Sequence, residues 1–510
     1  MDRVVMSGRG VRPESILIAL AEARYDVSPP VSISRTLLDT FDGRLRRAGL
    51  RLEAHGHHEL ELVLRGRATA TAQAMVQVIP RVAADLPTGP LRARLSPILD
   101  IRALLPLLVL DGRRASAVRR NDAGKAVVGV DVYTGLAGAS VPVETPWLAE
   151  ISAYEGYPDA AKQAVKLLES LGMERCPGDF HDVVAADAGL DVRGFSGSPT
   201  VALDRTGPAA AGFLRVLANL AATIDRNWQG TVDDIDPEFL HDFRVAIRRT
   251  RSVLVHAKGV LPADGRDHFR SEFRWLGAVT TPARDLDVYL IEWPGYVAPL
   301  GEASADLLPV VDYIARRRAA AHTELAAVLR SARYRAGLAA WQTWMEAWRP
   351  AADGEKALRP LGPLVAVRLA DAQRRVLARG RDIDPTSPAE ALHELRKDTK
   401  KLRYLLECFG GLLPDDARSA FVKRLKALQE NLGEHQDTEV HMVQLRTMSS
   451  ALLGEPGVGP ETMLAMGRLA ELFDRRRVHA RDVFAARFAA YDSDETARDL
   501  KRLLKAAAKP

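Results

Sequence analysis

Between residues 205 and 510 the apolar positions recur at spacings of three and four. Segments such as AAGFLRVLANLAATIDRNW, RSVLVHAKGVLP, HTELAAVLRSARY and AFVKRLKALQENLG, separated by Pro and Gly, each gather their apolar side chains on one face of a helix. Up to about Gly178 the pattern differs. HELELVLRG (His58–Gly66) alternates polar and apolar residues as a half-buried strand does, and KAVVGVDVY (Lys125–Tyr133) is β-branched and follows the turn signal NDAG. YPDAAKQAVKLLESLGM has helical spacing, with Gly172 near its C-terminal end. The stretch from Pro177 to Pro208 is rich in Gly, Pro, Asp and Ser and reads as a linker. The predicted organisation is an α+β domain over 1–178, a linker over 179–204 and an all-α domain over 205–510.

The helical part repeats itself. HDFRVAIRRTR (His241–Arg251) and HELRKDTKKLR (His393–Arg403) each open with a histidine and an acid and are dense in cations. At a constant offset of 152, residues 241–288 align with 393–440 without a gap, and 13 of 48 positions are identical, too many for unrelated segments. The identities include His241/His393, Arg244/Arg396, Arg251/Arg403, Pro262/Pro414, Phe269/Phe421, Leu276/Leu428 and Asp285/Asp437. Arg248/Lys400, Arg249/Lys401 and Arg274/Lys426 keep their charge. Further on, RRRAAAH (Arg316–His322) resembles RRRVHAR (Arg475–Arg481) at a longer offset. Two copies of a helical unit, about 205–350 and 360–510, are therefore expected to pair as pseudo-symmetric bundles.

Charge changes this picture from architecture to chemistry. The net charge of 510 residues is only +5, so a functional cationic surface must be concentrated locally. At ~100° per residue, His241, Arg244, Arg248 and Arg251 fall on one stripe of a helix, and His393, Arg396, Lys400 and Arg403 on another. Leu240, Phe243, Ile247 and Leu254, and in the second copy Leu392, Leu395, Leu402 and Leu406, form the neighbouring packing faces. Like charges at this spacing destabilise a helix by roughly a few tenths of a kcal/mol per pair. The nearby acids Asp242, Glu394 and Asp398 lie outside the stripes. Two such stripes, with Arg274 and Lys426, imply an anion: arginine offers forked donors to phosphate oxygens, lysine a point charge, and histidine a donor that protonates near neutral pH. A basic helix can equally be a solvated face, and the histidines buried hydrogen-bonding groups. Asp285 and Asp437 read as structural, capping helices or orienting the cations. Paired stripes suit a linear polyanion. Nucleic acid lacks its usual markers here, with no zinc-finger spacing, aromatic strand motif, basic tail or aromatic platform for bases, so a polyanion without bases fits better.

Two cysteines, Cys176 and Cys408, make no disulfide framework and suit a reducing compartment. No secretory signal stands at the N-terminus, and no apolar run approaches the ~20 residues that span a bilayer, so a cytoplasmic protein and no membrane partner are expected. There is no P-loop, HExxH or paired CxxC. GFSGS (Gly194–Ser198) has Ser198 where a nucleophile elbow needs Gly, and no strand precedes it.

His241 with RVAIRRTRSVL, FRWLGAVTTPARDLDV, His393 with RKDTKKLRYLLE, and LKALQENLGEHQDTEV together make residues 205–510 resemble a CHAD domain, a helical domain of two four-helix repeats. The resemblance implies binding of inorganic polyphosphate in a basic cleft between the halves, association with polyphosphate granules, and no catalysis or cofactor in this region. The cleft would be lined by His241, Arg244, Arg248, Arg251, Arg274, His393, Arg396, Lys400, Arg403 and Lys426. One departure is EHQD (Glu434–Asp437) where the first copy has PARD (Pro282–Asp285); without the charge of Arg284 the second half is expected to bind unequally. RTLLDTFDGRLRRAGLRLE, followed by HHELELVLRG, resembles a CYTH domain, the triphosphate tunnel fold. That fold needs an acid–x–acid–x–basic strand at its start to hold metal and triphosphate. MDRVVMSGRGVRPESILIA has none; Glu59 and Glu61 have the spacing but lie after the DT segment, and Glu53 stands where a basic residue belongs. The implied domain is a degenerate tunnel of antiparallel β-structure with helices, without catalytic or metal-binding residues. The rival readings are a metal-dependent tripolyphosphatase using this domain and a helical scaffold for an acidic protein partner.

Overall fold

The structure is a computed structural model that describes residues 3–8, 10–56, 59–66, 72–138, 147–190, 194, 201–347 and 355–509. The chain divides into two compact units, Met1–Gly197 and Ser198–Pro510.

The first unit is built on one antiparallel sheet. Its strands are β1 (Val4–Ser7), β2 (Tyr25–Val27), β3 (Val31–Asp39), β4 (Leu50–His55), β5 (Leu60–Gly66), β6 (Ala72–Val76), β7 (Leu105–Arg120), β8 (Ala126–Ala137), β9 (Leu148–Ala153) and β10 (Glu174–Arg175). They are ordered β10-β1-β9-β8-β7-β3-β4-β5-β6, with β2 on β7. The helices are α1 (Pro13–Glu22), α2 (Arg44–Arg47), α3 (Pro90–Leu99), α4 (Pro158–Ser170) and α5 (Phe180–Asp187). The expected strands over 58–66 and 125–133 are β5 and β8, and the expected helix is α4; His58 lies outside the described residues. Alternation along β4 and β5 decides the faces. Leu52, Ala54, Leu62 and Leu64 join Leu91, Leu95 and Leu99 of α3 in one core, which leaves Arg51, Glu53, His55 and Arg65 on the other face.

Helix α5 corrects the linker reading of 179–204. Composition marked that stretch as loop, but Phe180 and Val184, four residues apart, are buried with Leu37, Leu108 and Tyr133 of the sheet. Asp179 caps the helix by accepting from the amides of His181 and Asp182. The rest of that linker, including the GFSGS residues after Gly194, is mostly outside the described residues.

The second unit is helical: α6 (Ala209–Val232), α7 (Pro237–His256), α8 (Ala263–Val279), α9 (Thr281–Val297), α10 (Leu308–Leu329), α11 (Ala332–Ala347), α12 (Leu361–Arg381), α13 (Ala389–Cys408), α14 (Asp415–Leu452), α15 (Pro460–Asp482), α16 (Phe484–Tyr491) and α17 (Asp494–Ala508). Helices α12, α13 and α14 each start 152 residues after α6, α7 and α8, so the repeat seen in sequence extends to the start of both copies. Pro208 and Pro360, themselves equivalent, meet as an antiparallel bridge, with Ala209 N donating to Arg359 O (2.8 Å) and Leu361 N to Gly207 O (2.9 Å). An antiparallel pairing of equivalent residues is a local twofold. One apolar core runs through both copies, from Phe213, Phe243 and Ile247 to Phe409, Phe421 and Leu425.

The copies differ at one joint. Pro282 has no N–H to continue the ladder, and the first copy breaks there into α8 and α9 around Thr280. Glu434 takes the place of Pro282 in the second copy, and α14 runs unbroken for 38 residues.

Candidate functional site

Helix α7 is started by Asp236, whose side chain accepts from the amides of Glu238 and Phe239, with Pro237 in the first turn. Its face of Phe239, Leu240, Phe243, Ala246, Ile247 and Leu254 is buried, which turns the cationic stripe to the side. Helix α13 buries Leu392, Leu395, Leu402 and Leu406 likewise. The two helices meet: Arg248 Nε donates to the Tyr404 hydroxyl (3.2 Å), and Arg249 Nη2 pairs with Glu407 (2.8 Å). The stripes therefore converge across the twofold.

On the first-copy side a cavity of about 260 Å³ is lined by Arg244, Arg248, Arg251 and Arg274, with Ile247, Gly277, Thr280 and Thr281. Among the described residues no carboxylate lies within ion-pair distance of these four arginines. Arg244 is fixed by neutral acceptors instead. Its Nη1 donates to Gly277 O (3.1 Å), Thr280 Oγ1 (2.7 Å) and Thr281 Oγ1 (3.0 Å). Burial, then Arg248, depresses its pKa; burial, then Arg274 and Arg270, depresses that of Arg251. Lys400 of the second copy stands nearby, pushed down to about 8 by burial and then by Arg396 and Arg248. Asp285 and Asp287 act the other way on Arg244, and Asp437 on Lys400, but burial and the crowding of like charges outweigh them.

The other predicted residues are placed differently. Arg396 is ion-paired with Asp437 (3.1 Å), and Arg403 with Glu407 (3.5 Å). Arg284 Nη2 donates to His241 Nδ1 (2.9 Å), so that ring carries its proton on Nε2; in the second copy Gln436, the equivalent of Arg284, takes the Nδ1–H of His393 (2.5 Å). Each histidine is thus tied within its own copy, His241 to α9 and His393 to α14. Lys426 is exposed on α14 without an ion pair among the described residues. In the arginine triplets, Arg316 pairs with Glu455, Arg318 with Asp287 (2.7 Å) and Asp234, Arg475 with Glu471 and Arg477 with Asp474, which leaves little free charge there. Thr280, Thr281 and Tyr404 belong to the site and were not among the sequence candidates. A pair of hydroxyls after a helix and before Pro was the available signal.

In the first unit the polar sheet face holds a second concentration of charge. Arg35 of β3 is buried and bonds Glu53 of β4 (2.9 Å), with Glu150 of β9 at 3.6 Å. Arg3 pairs with the other oxygen of Glu150 (2.9 Å). Burial opposes ionisation of Glu53, but Arg35 and then His55 and His181 hold its carboxyl well below the usual range. Glu53 thus answers a basic residue. Helix α5 adds its own acids: Asp182 to Arg46 (2.6 Å), and Asp179 to Arg51. Phe180 covers the Arg35 guanidinium, 4.1 Å from its ring centre. Glu61 stands opposite His55 and Glu59 beside a hollow under β6, neither with an ion pair among the described residues. Among the described residues no three His, Cys, Asp or Glu side chains gather to hold a metal ion, and no helix is long and apolar enough to cross a membrane.

The solved structures similar to this chain include the CHAD domain from the plant Ricinus communis, 28% identical, which covers 57% of this chain and 96% of its own with a TM-score of 0.49. PptA from Streptomyces chartreusis is 20% identical over 55% of this chain and 99% of its own, TM-score 0.42. HpAC1 from Hippeastrum, described as a putative adenylyl cyclase with a dominant triphosphatase activity, is 14% identical over 37% of this chain and 96% of its own, TM-score 0.27. No curated protein matches the chain. The sequence model of the CHAD domain matches residues 215–446, a span that contains both cationic stripes and the cavity. The helical unit of this chain carries a CHAD domain over residues 215–446.

Proposed function

We propose that the helical unit binds inorganic polyphosphate along the cleft where α7 and α13 meet, without catalysis, and that the protein associates with polyphosphate granules. The observation that carries this reading is the cavity of Arg244, Arg248, Arg251 and Arg274, whose guanidinium groups have no carboxylate partner among the described residues. Cations held close together with no carboxylate at contact distance are poised for an anion with several closely spaced charges. The membership of this span in the CHAD family, which is linked to polyphosphate, supports the choice of anion. The ten residues His241, Arg244, Arg248, Arg251, Arg274, His393, Arg396, Lys400, Arg403 and Lys426 are the proposed contacts, with the first unit as scaffold.

The test is titration calorimetry with long-chain polyphosphate. Affinity should fall steeply with salt, as counterions released on binding require. The Arg248→Glu/Arg251→Glu/Arg274→Glu variant should lose binding by about 100-fold or more, on the scale of two or more charge-assisted contacts. Its thermal unfolding should stay within a few degrees, because none of these three side chains is buried in the core. Undiminished binding by the variant, or equal competition by single-stranded DNA, would reject the reading.

A further inference from the structure

The two copies of the cation stripe are not equivalent, and the cause can be traced residue by residue. In the first copy, the Pro282 break leaves the Gly277 carbonyl and the Thr280 and Thr281 hydroxyls in reach of Arg244, which bonds all three. Asp285 is then left exposed, without an ion pair among the described residues. In the second copy the counterparts of Thr280 and Thr281 are Leu432 and Gly433, and helix α14 continues through the joint. Arg396 finds no hydroxyl there. It lies over Gly433, where an added Cβ would stand 3.4 Å from its Nη2, and turns to Asp437, one Nη2 against both carboxylate oxygens at 3.1 and 3.2 Å. A second carboxylate, Glu407, engages Arg403; its first-copy counterpart is Val255, which has no charge to offer Arg251.

We propose that the cleft is polarised: a short phosphate ligand is taken by the first-copy cavity alone, while the second-copy stripe is a latent subsite closed by Asp437, a specificity-determining residue for chain length. This inference rests on the polyphosphate reading above. A few phosphate units fill a cavity of about 260 Å³ lined by first-copy residues alone. Only a chain long enough to leave that cavity meets Arg396. There its phosphate must compete with the Asp437 carboxylate for the same guanidinium, so each added phosphate gains less than it does in the first half. Asp437 is 55% exposed in its side chain, so its replacement does not disturb the core.

The experiment compares wild type and Asp437→Asn by calorimetry against two probes, tripolyphosphate and long-chain polyphosphate. The expected result is about three- to tenfold tighter binding of the long chain by the variant, the scale of one charge-assisted contact released. Its salt dependence should steepen, and tripolyphosphate affinity should stay unchanged. Equal tightening for both probes would overturn the proposal, since a general gain of positive charge would suffice. Unchanged or weakened long-chain binding, with wild-type binding intact, would overturn it as well and leave the polyphosphate reading standing. If wild type binds neither probe, both readings fall together.

Discussion

The sheet of the first unit and the α7–α13 cleft of the second each concentrate arginines, with opposite outcomes. On the sheet, Arg35 is answered by Glu53 and Glu150, Arg3 by Glu150, and Arg46 and Arg51 by the acids at the start of α5. In the cleft, Arg248, Arg251 and Arg274 line open space with no carboxylate in reach among the described residues. A buried charge that is paired and hydrogen-bonded belongs to the fold, and its removal is felt as lost stability. A crowded, half-exposed charge without a partner costs the fold something and returns it only when an anion arrives. Counting arginines would rank the two regions alike; asking where each counter-charge sits separates them.

The largest effect that would break this comparison lies on the sheet. Glu53→Gln leaves the Arg35 guanidinium buried with only Glu150 at 3.6 Å. Loss of one partner of a buried pair should destabilise the first unit by about 3 kcal/mol, read as a lowered denaturant midpoint of its transition. The sign of the pH dependence is a second check. Because the Glu53 carboxyl is held below its unfolded value, its contribution is present above the ordinary carboxylate range and fades as pH falls through the folded value. The variant should lack that part of the acid sensitivity, while polyphosphate binding stays as in wild type. A variant as stable as wild type would show that the sheet charges, like those of the cleft, are not part of the fold.

The difference between these regions was only half legible beforehand. The cation stripes were, because a helix puts residues three and four apart on one side, and a duplication doubles the signal. Their partners were less so: Glu407 continues the second stripe four residues after Arg403, but Asp437 lies on another helix, and nothing in the spacing says that Arg396 meets it while Arg244 meets hydroxyls. The departure at PARD and EHQD was visible, but the change that acts is Pro282 to Glu434 with the loss of two threonines, rather than Arg284 to Gln436 alone. In the first unit, Arg3, Arg35, Glu53 and Glu150 are scattered along the chain and meet only through strand order, which alternation within one strand does not reveal. Helix α5 was hidden by its company, since Gly, Pro and Asp around it outweighed two apolar residues four apart.

Exchanging the joint between copies is the next sharpest intervention. Thr280→Leu/Thr281→Gly gives the first copy the second copy's residues and removes two acceptors from Arg244. Arg244 is then expected to turn to Asp285, as Arg396 turns to Asp437, and the cavity would lose one of its open cations. Polyphosphate affinity should fall by about tenfold, the worth of one charge-assisted contact, measured by calorimetry at fixed salt. Adding Asp285→Asn to the same chain should restore most of it. Affinity that falls and is not recovered by the second change would assign the loss to disturbed packing around Thr280, which is fully buried.

The smallest effect distinguishes an open site from a satisfied one by its protons. Lys400, at about 8 in the free protein, loses its charge as pH rises through that value because burial and Arg396 and Arg248 disfavour the cation. A polyanion in the cleft favours the same cation and raises its pKa, so binding above pH 8 takes up a proton. Affinity should fall about threefold from pH 7.5 to pH 8.5, a range above the ordinary titration of histidine and of the ionised internal phosphates of a long chain. Calorimetry in buffers of different ionisation enthalpy should register the proton taken up. Lys400→Arg, which stays charged throughout, should flatten the profile and abolish the uptake. A profile that stays equally steep in that variant would place the titrating group elsewhere and remove Lys400 from the cleft's contacts.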